Sequence, residues 1–214
     1  GLGDVYKRQG YYGWLDERGI AVSEQQKDST FWQPVQVARD NGDCDLQIEK
    51  ATYYLDNISN PLKEISAHYY MATCYYTSGK KNEALYHYDF ITTKPNNNYF
   101  TEALKYAGEI TFDSENYKLA LGHFSTLENV GVTQEDLSLS KRGQMYCFYY
   151  LDNFQSAIIY AKKVLLLNHP NDKVVEDANL FLANSYKELG LLDSALISYE
   201  TVSYTHLTLP TKWT

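Results

Sequence analysis

The sequence predicts an all-α protein built from repeated pairs of antiparallel helices. Three observations support this prediction. A motif of small and aromatic residues recurs along the chain, each copy contains two apolar stretches at helical spacing, and a short polar break separates the stretches. One such unit cannot bury its apolar face alone, so several units must stack to form a stable core. Five copies are visible, the first of them imperfect.

The repeat is clearest over residues 72–88, where Ala, Tyr, Gly, Ala and Tyr follow one another at fixed spacing, and it returns over residues 183–199. Two weaker copies lie between these, and a degenerate copy precedes them. A small residue in the second helix recurs every 36 to 38 residues, with Gln in its place in the first copy. The five equivalent positions are Gln47, Ala84, Ala120, Ala157 and Ala195. Small side chains at a helix contact let two helices approach closely.

Breaks and stops in the pattern predict where the helices end. Glycine, which tolerates a left-handed backbone, stands in the break between the two helices at Gly42, Gly79 and Gly190. Proline, which cannot continue a helix, follows the second helices at Pro61, Pro95 and Pro170.

This pattern resembles the tetratricopeptide repeat (TPR), a helical hairpin of about 34 residues. The resemblance covers residues 29–202, in units at 29–61, 64–96, 99–131, 137–170 and 174–202. It implies a right-handed α-solenoid, here a fragment of a longer array. The repeat spacing of 36 to 38 residues, longer than the usual 34, resembles that of TPR proteins of the Gram-negative cell envelope. This resemblance implies a periplasmic or outer-membrane-associated location.

The two ends of the chain depart from the repeat. Residues 1–9 (GLGDVYKRQ) and 203–214 (beginning SYTHLTLPTK) resemble translated sequencing adapter, and we expect them to be artefacts; natural unstructured tails are the alternative. We expect residues 10–28 to hold the end of a truncated helix, at 11–18, and then a polar link. The last helix, 193–202, would lack a covering unit, so we expect it to expose an apolar face and to fray or self-associate.

Composition favours a protein partner over nucleic acid or membrane. The net charge is -8, and an acidic surface repels phosphate backbones. The 21 Tyr against 8 Phe suit an extended fold, because a half-buried tyrosine packs its ring and keeps its hydroxyl hydrated. No apolar run reaches the length of a membrane span. Cys44, Cys74 and Cys147 stand far apart, so we expect neither a disulfide framework nor a zinc site.

The sequence contains no pattern typical of catalysis or cofactor binding. Phosphate loops, nucleotide-binding glycine motifs and His-Glu-x-x-His are absent. His68 and His87 could meet across one helix pair, but we expect a partly exposed, tyrosine-rich surface there. Glu109 and Asp113 stand one turn apart, an arrangement more typical of a solvated face than of a catalytic pair. We therefore predict a non-enzymatic protein with no cofactor and no metal.

In TPR arrays the first helix of each pair lines a concave face on which ligands bind. The resemblance therefore implies a binding groove with three residues from each unit: Trp32, Gln36, Arg39, Tyr69, Thr73, Tyr76, Lys105, Glu109, Phe112, Arg142, Tyr146, Tyr149, Leu180, Asn184 and Lys187. The family's carboxylate clamp, a Lys and an Asn one turn apart, is missing, so we do not expect chaperone tails as ligands. Some of these tyrosines could instead pack between neighbouring units.

The leading functional hypothesis is a scaffold that holds an extended peptide or a helix of another subunit in this groove. The alternative is the regulatory or docking arm of an enzyme whose catalytic domain lies outside this sequence. A third hypothesis is a structural spacer without a dedicated ligand. Changes at Arg142 and Tyr149 that abolish partner binding would separate the first hypothesis from the third.

Overall fold

Antiparallel helix pairs form the fold of this chain. The structure is a computed structural model, and it describes residues 5–8, 11–14, 23–167 and 172–207. The chain divides into two compact units, each of which spans more than one repeat. From here on, the first unit is Gly1–Ile91 and the second unit is Thr92–Thr214. Consecutive helices pack against each other within these units, and the predicted all-α helical-repeat fold is confirmed.

The first unit contains a short hairpin and four helices in its described residues. Strands β1 (Val5–Arg8) and β2 (Tyr11–Trp14) pair antiparallel. The helices are α1 (Glu24–Asp40), α2 (Cys44–Asn57), α3 (Pro61–Thr77) and α4 (Lys81–Thr92), the last of which ends at the boundary. Asn60 caps α3 by accepting backbone N–H groups, and Pro61 occupies the first helical position, where no N–H is needed.

The second unit contains three helix pairs in its described residues. They are α5 (Phe100–Asp113), α6 (Tyr117–Val130), α7 (Gln134–Tyr150), α8 (Phe154–Leu165), α9 (Asp172–Glu188) and α10 (Leu192–Leu207). Helix α7 contacts both α5 and α9, so the first helices of these pairs form one continuous face. None of the described helices is long and apolar enough to cross a lipid bilayer.

Burial confirms the repeat register. All five equivalent second-helix positions are buried: Gln47, Ala84, Ala120, Ala157 and Ala195. The glycines of the predicted breaks all have positive φ: Gly42, Gly79 and Gly190. In the third and fourth repeats, Glu115 and Asp152 adopt this left-handed conformation instead, which costs a residue with a Cβ about 1–2 kcal/mol.

The segment before the repeats differs from the prediction. Residues 11–14 form a strand, not the end of a helix, because Gly13 disfavours a helix and the aromatic residues around it favour a strand. The predicted polar link is the beginning of α1. Ser23 and Gln26 start this helix with a capping box, in which the Ser23 Oγ accepts from the Gln26 N–H at 3.2 Å and the Gln26 Oε1 accepts from the Ser23 N–H at 3.0 Å.

The last helix is longer than predicted and exposes apolar side chains. Helix α10 continues past residue 202 to Leu207, since residues 203–207 contain no Gly or Pro to stop it. The predicted apolar face is confirmed, because Leu192, Leu196 and Ile197 are 60–67% exposed. Fraying and self-association of this helix stay predictions. Pro170 and the remaining residues of the adapter-like ends lie outside the described residues.

Cys44 and Cys74 form a disulfide, so the expectation that no disulfide forms is wrong. Cys44 opens α2 and Cys74 lies near the end of α3, with the two Cα atoms 5.3 Å apart. In antiparallel neighbours the start of one helix lies beside the end of the next, which joins cysteines 30 residues apart. Spacing in the sequence gives no sign of this contact. Cys147 is free and buried.

The Phe124 ring of α6 packs closely against two glycines of neighbouring helices in the second unit. The ring lies between Gly108 of α5 and Gly143 of α7. A Cβ at Gly108 would lie 2.8 Å from the ring, and a Cβ at Gly143 would lie 2.5 Å from it. Protein interiors have few voids, so a side chain at either glycine must displace Phe124.

We expect Gly143→Ala to lower the free energy of unfolding by about 1–3 kcal/mol, because the new methyl group overpacks the Phe124 ring. Gly122→Ala is the matched control, since a Cβ at this exposed position of α6 meets nothing within 4 Å. The control should be neutral or stabilise by up to about 1 kcal/mol, because alanine favours a helix. Thermal denaturation followed by circular dichroism measures both changes. Equal melting temperatures for the two variants would contradict this packing.

Candidate functional site

Trp32, a predicted groove residue of the first unit, lies in the core. Its side chain is 7% exposed. Its ring contacts Tyr54 edge-on and stacks on Tyr70, with centroids 4.9 Å and 6.0 Å away. A residue so enclosed stabilises the helix pair and offers little area to a ligand.

Two polar groove residues of the first unit, Arg39 and Thr73, make hydrogen bonds within the fold. The Arg39 Nη1 donates to the Tyr70 hydroxyl at 2.7 Å, and its Nη2 pairs with Asp40 at 2.7 Å. The Thr73 hydroxyl donates to backbone carbonyls one turn earlier in its own helix, at 2.9–3.0 Å. The other predicted residues of this unit are exposed or half-buried: Gln36, Tyr69 and Tyr76.

An aromatic cluster joins the first helices of the second unit. The Tyr146 ring of α7 lies 5.9 Å from Phe112 of α5 and 4.7 Å from Phe181 of α9. Tyr149 and Tyr150 also approach Phe181, at 5.0 Å and 6.2 Å between centroids. Tilted and edge-on contacts of this kind contribute about 0.5–1.5 kcal/mol each. The cluster holds three helices in one surface, while Tyr150 stays 47% exposed.

The sequence predicts three residues of this aromatic cluster and misses Tyr150 and Phe181. The signal for Tyr150 is its position one turn after Tyr146, which places both residues on one helix face. Phe181 stands beside the predicted Leu180, and the repeat pattern does not distinguish the two. Of the other residues predicted on α9, Asn184 accepts a hydrogen bond from the Tyr199 hydroxyl, and Lys187 is exposed.

Arg142 is a cation on the same face of α7 as Tyr146. Its side chain is half-buried, and it makes no hydrogen bond or ion pair with any residue that the structure describes. Burial and the carboxylate of Asp177 raise the pKa of Tyr146 to about 12, although Arg142 acts in the opposite direction. The guanidinium therefore lies close to the aromatic cluster and is available to a ligand.

A cavity of about 450 Å³ opens between the N-terminal halves of α5 and α7. Charged and aromatic residues line much of it: Glu102, Lys105, Tyr106, Glu109, Glu135 and Asp136. The ammonium of Lys105 pairs with Asp136, and the other oxygen of Asp136 accepts the Thr133 N–H at 3.2 Å. Burial acts to raise the pKa of Asp136, but these bonds hold it below its usual range. The charge of Lys105, a predicted groove residue, is therefore neutralised within the fold by Asp136.

Solved structures of MamA share this fold. One matches with a TM-score of 0.63 and 13% identity, covering 83% of this chain and 91% of that chain. MamA from AMB-1 matches with a TM-score of 0.65, 12% identity and coverage of 88% and 96%. MamA 41-end from Desulfovibrio magneticus RS-1 matches with a TM-score of 0.61, 12% identity and coverage of 88% and 100%. The fold is TPR-like.

No protein-family model matches this sequence, and no curated protein is significantly similar to it. At 12–13% identity the likeness to MamA shows the fold alone. A repeat fold carries many functions, so the surface residues of this TPR-like chain, and not its fold, decide its function.

The TPR-like pair α3–α4 contains a buried histidine pair. The Nδ1 atoms of His68 and His87 lie 2.8 Å apart, so one ring donates to the other. His68 stacks on Phe90 and His87 on Tyr75, with centroids 3.8 Å and 5.6 Å apart. Burial lowers the pKa of both histidines to about 4. The expectation of partly exposed histidines is therefore wrong, because packed aromatic rings cover them.

A metal is not suggested by these histidines or by other side chains in the described parts of the chain. No group of three or more His, Cys, Asp or Glu residues there is arranged to hold a metal ion. The histidine pair contributes to packing within the helix pair.

Proposed function

We propose that this chain is a non-catalytic scaffold that binds a peptide or helix of a partner protein on the face formed by α5, α7 and α9. The observation that carries the proposal is the aromatic cluster, which joins all three helices and keeps tyrosine at the surface. Tyrosine and arginine are enriched in binding hot spots. The TPR-like fold supports a protein ligand rather than a small molecule.

The candidate residues of α7 lie along one line of the helix. Glu135, Arg142 and Tyr149 follow one another at intervals of seven residues, which is about two helical turns. The line from Glu135 to Tyr149 is about 21 Å long at ~1.5 Å per residue. An extended peptide of six or seven residues spans the same length at ~3.3 Å per residue.

The net charge and the disulfide limit the class of partner and the cellular compartment that we propose for this protein. The net charge of -8 disfavours nucleic acid, since phosphate and carboxylate groups repel each other. The Cys44–Cys74 disulfide supports a location in an oxidising compartment such as the periplasm, because cytosolic proteins rarely keep disulfides.

A two-step binding experiment tests the proposal. Random dodecapeptides displayed on phage are first selected on the protein, and fluorescence anisotropy then measures the affinity of the selected peptides. We expect Tyr149→Ala and Arg142→Glu each to weaken binding about tenfold or more, because hot-spot truncations cost at least ~1–2 kcal/mol. Tyr149 also packs on Phe154, with ring centroids 5.6 Å apart, so circular dichroism must show that each variant is folded.

Lys118→Glu is the matched control. It reverses a charge at an exposed position of α6, a second helix outside the proposed face, and should leave the affinity unchanged. Failure to select any peptide, or equal affinities for the wild type and for folded Tyr149 and Arg142 variants, would contradict the proposal.

A further inference from the structure

The cavity between α5 and α7 has an excess of negative charge. Its described lining includes the carboxylates Glu102, Glu109, Glu135 and Asp136 but only one cation, Lys105. Lys105 is already paired with Asp136. Neither Glu102 nor Glu135 makes a hydrogen bond or ion pair with the residues that the structure describes. Within the described residues, two carboxylates at the cavity thus make no ion pair of their own, since the ammonium of Lys105 pairs with Asp136.

The ionisable neighbours report the same negative potential. Burial and then the carboxylates of Glu102 and Glu109 raise the pKa of Tyr106. Burial acts to lower the pKa of Lys105, but Asp136 and then Glu135 and Glu102 raise it above its usual value. The contributions of the carboxylates to these two shifts, unlike the contribution of burial, favour a positive charge in this cavity and disfavour a further negative one.

Apolar groups lie beside the carboxylates. Val132, in the link between α6 and α7, is 90% exposed, and Leu139 and Tyr106 also line the cavity. A small ion would leave these groups uncovered. A long cationic side chain would cover them, because its methylene stem is apolar while its charged end is polar. The volume of about 450 Å³ lies within the range of ligand pockets, roughly 300–1,000 Å³.

We infer that this cavity binds an arginine side chain of the partner peptide, with the guanidinium on Glu102 and Glu135 and the stem against Val132. The inference rests on the proposed peptide-binding function and specifies its ligand. Arginine fits better than lysine, because its planar group carries five donors and can bridge carboxylates with paired hydrogen bonds. Lysine would bind as a single point charge.

Arg142 extends the inference to a second charge on the ligand. It lies seven residues after Glu135 on α7, about 10 Å away at ~1.5 Å per residue. In an extended peptide about three residues cover that distance at ~3.3 Å per residue. The preferred ligand therefore carries an arginine and a carboxylate about three residues apart.

The test compares dodecapeptide selection on the wild type with selection on the double variant Glu102→Gln and Glu135→Gln. Glutamine keeps the shape of glutamate and removes its charge. The control, Glu83→Gln with Glu200→Gln, removes the same net charge from exposed positions outside the cavity. We expect wild-type and control selections to be rich in arginine, and the double-variant selection to lose this enrichment. Replacing the arginine of a selected peptide by neutral citrulline should weaken its binding about tenfold or more, and only to the wild type and the control.

The outcomes separate this inference from the proposed function. Peptides that bind the α5–α7–α9 face without arginine enrichment, and equally to wild type and double variant, would overturn the inference and leave the function standing. Failure to select any peptide would overturn the function itself. Calorimetry with spermidine is a further arm. Spermidine binding that the double variant abolishes, together with no arginine preference among peptides, would assign the cavity to a free polyamine and overturn the inference.

Discussion

Loss of the Cys44–Cys74 disulfide is expected to lower the free energy of unfolding of the first unit by about 3–4 kcal/mol. The bond closes a loop between cysteines 30 residues apart, and opening it restores that freedom to the unfolded chain. Chemical denaturation of wild type and of the variant Cys44→Ser with Cys74→Ser measures the difference. Tyr54, a core residue of the first unit, provides the fluorescence change together with Trp32.

Two controls, treatment with a reductant and a count of reactive thiols, show whether the effect comes from the disulfide. Dithiothreitol should destabilise the wild type and leave the double serine variant unchanged. Cys147→Ser should respond to dithiothreitol as the wild type does, since Cys147 is not in the bond. Denatured, unreduced wild type should show one reactive thiol; three reactive thiols would show that the disulfide does not form.

Acidification to pH 4.5 is expected to destabilise the α3–α4 pair by roughly 2 kcal/mol or more. His68 and His87 have a folded-state pKa of about 4 against an ordinary 6.5, because burial disfavours the charged ring. Between these values the unfolded chain binds more protons than the folded chain. The stabilisation is therefore complete above pH 6.5 and is lost as the pH falls toward 4. Protection factors of the α3 and α4 amides, from hydrogen exchange, measure it.

Two other groups with shifted pKa values can be distinguished from this pair. Burial raises the pKa of Asp89, which acts with the opposite sign but is a single carboxyl. Burial also lowers the pKa of His123, but that residue lies in α6 of the second unit and does not report through α3 and α4. An NMR titration gives a direct check on the rings. If His68 and His87 both titrated near pH 6.5 in the folded protein, the buried pair would be contradicted.

The repeat architecture could be predicted because each local signal points to the same fold. Ala84 and Ala195 are small where helices touch, and Gly79 and Gly190 end the first helices. The strand at residues 11–14 could not be predicted in this way, since it lies outside the repeat and pairs with residues 5–8, which the adapter resemblance had set aside.

The candidate site was predictable only in part, because the repeat pattern tells which side of a helix a residue occupies but not what it touches there. Phe112 and Tyr146 follow from the register. The pairing of Lys105 with Asp136 does not, since Asp136 comes from the next helix pair. The Cys44–Cys74 disulfide depends in the same way on which helix ends lie side by side, and the cavity depends on both α5 and α7.

The location of a bound peptide tests the central claim most directly. Hydrogen exchange of the wild type, with and without a selected peptide, shows which helices are protected on binding. We predict protection of α5, α7 and α9, strongest around Glu102, Arg142 and Tyr149. Protection confined to α6, α8 and α10 would contradict the claim that the first helices of the second unit form the binding face.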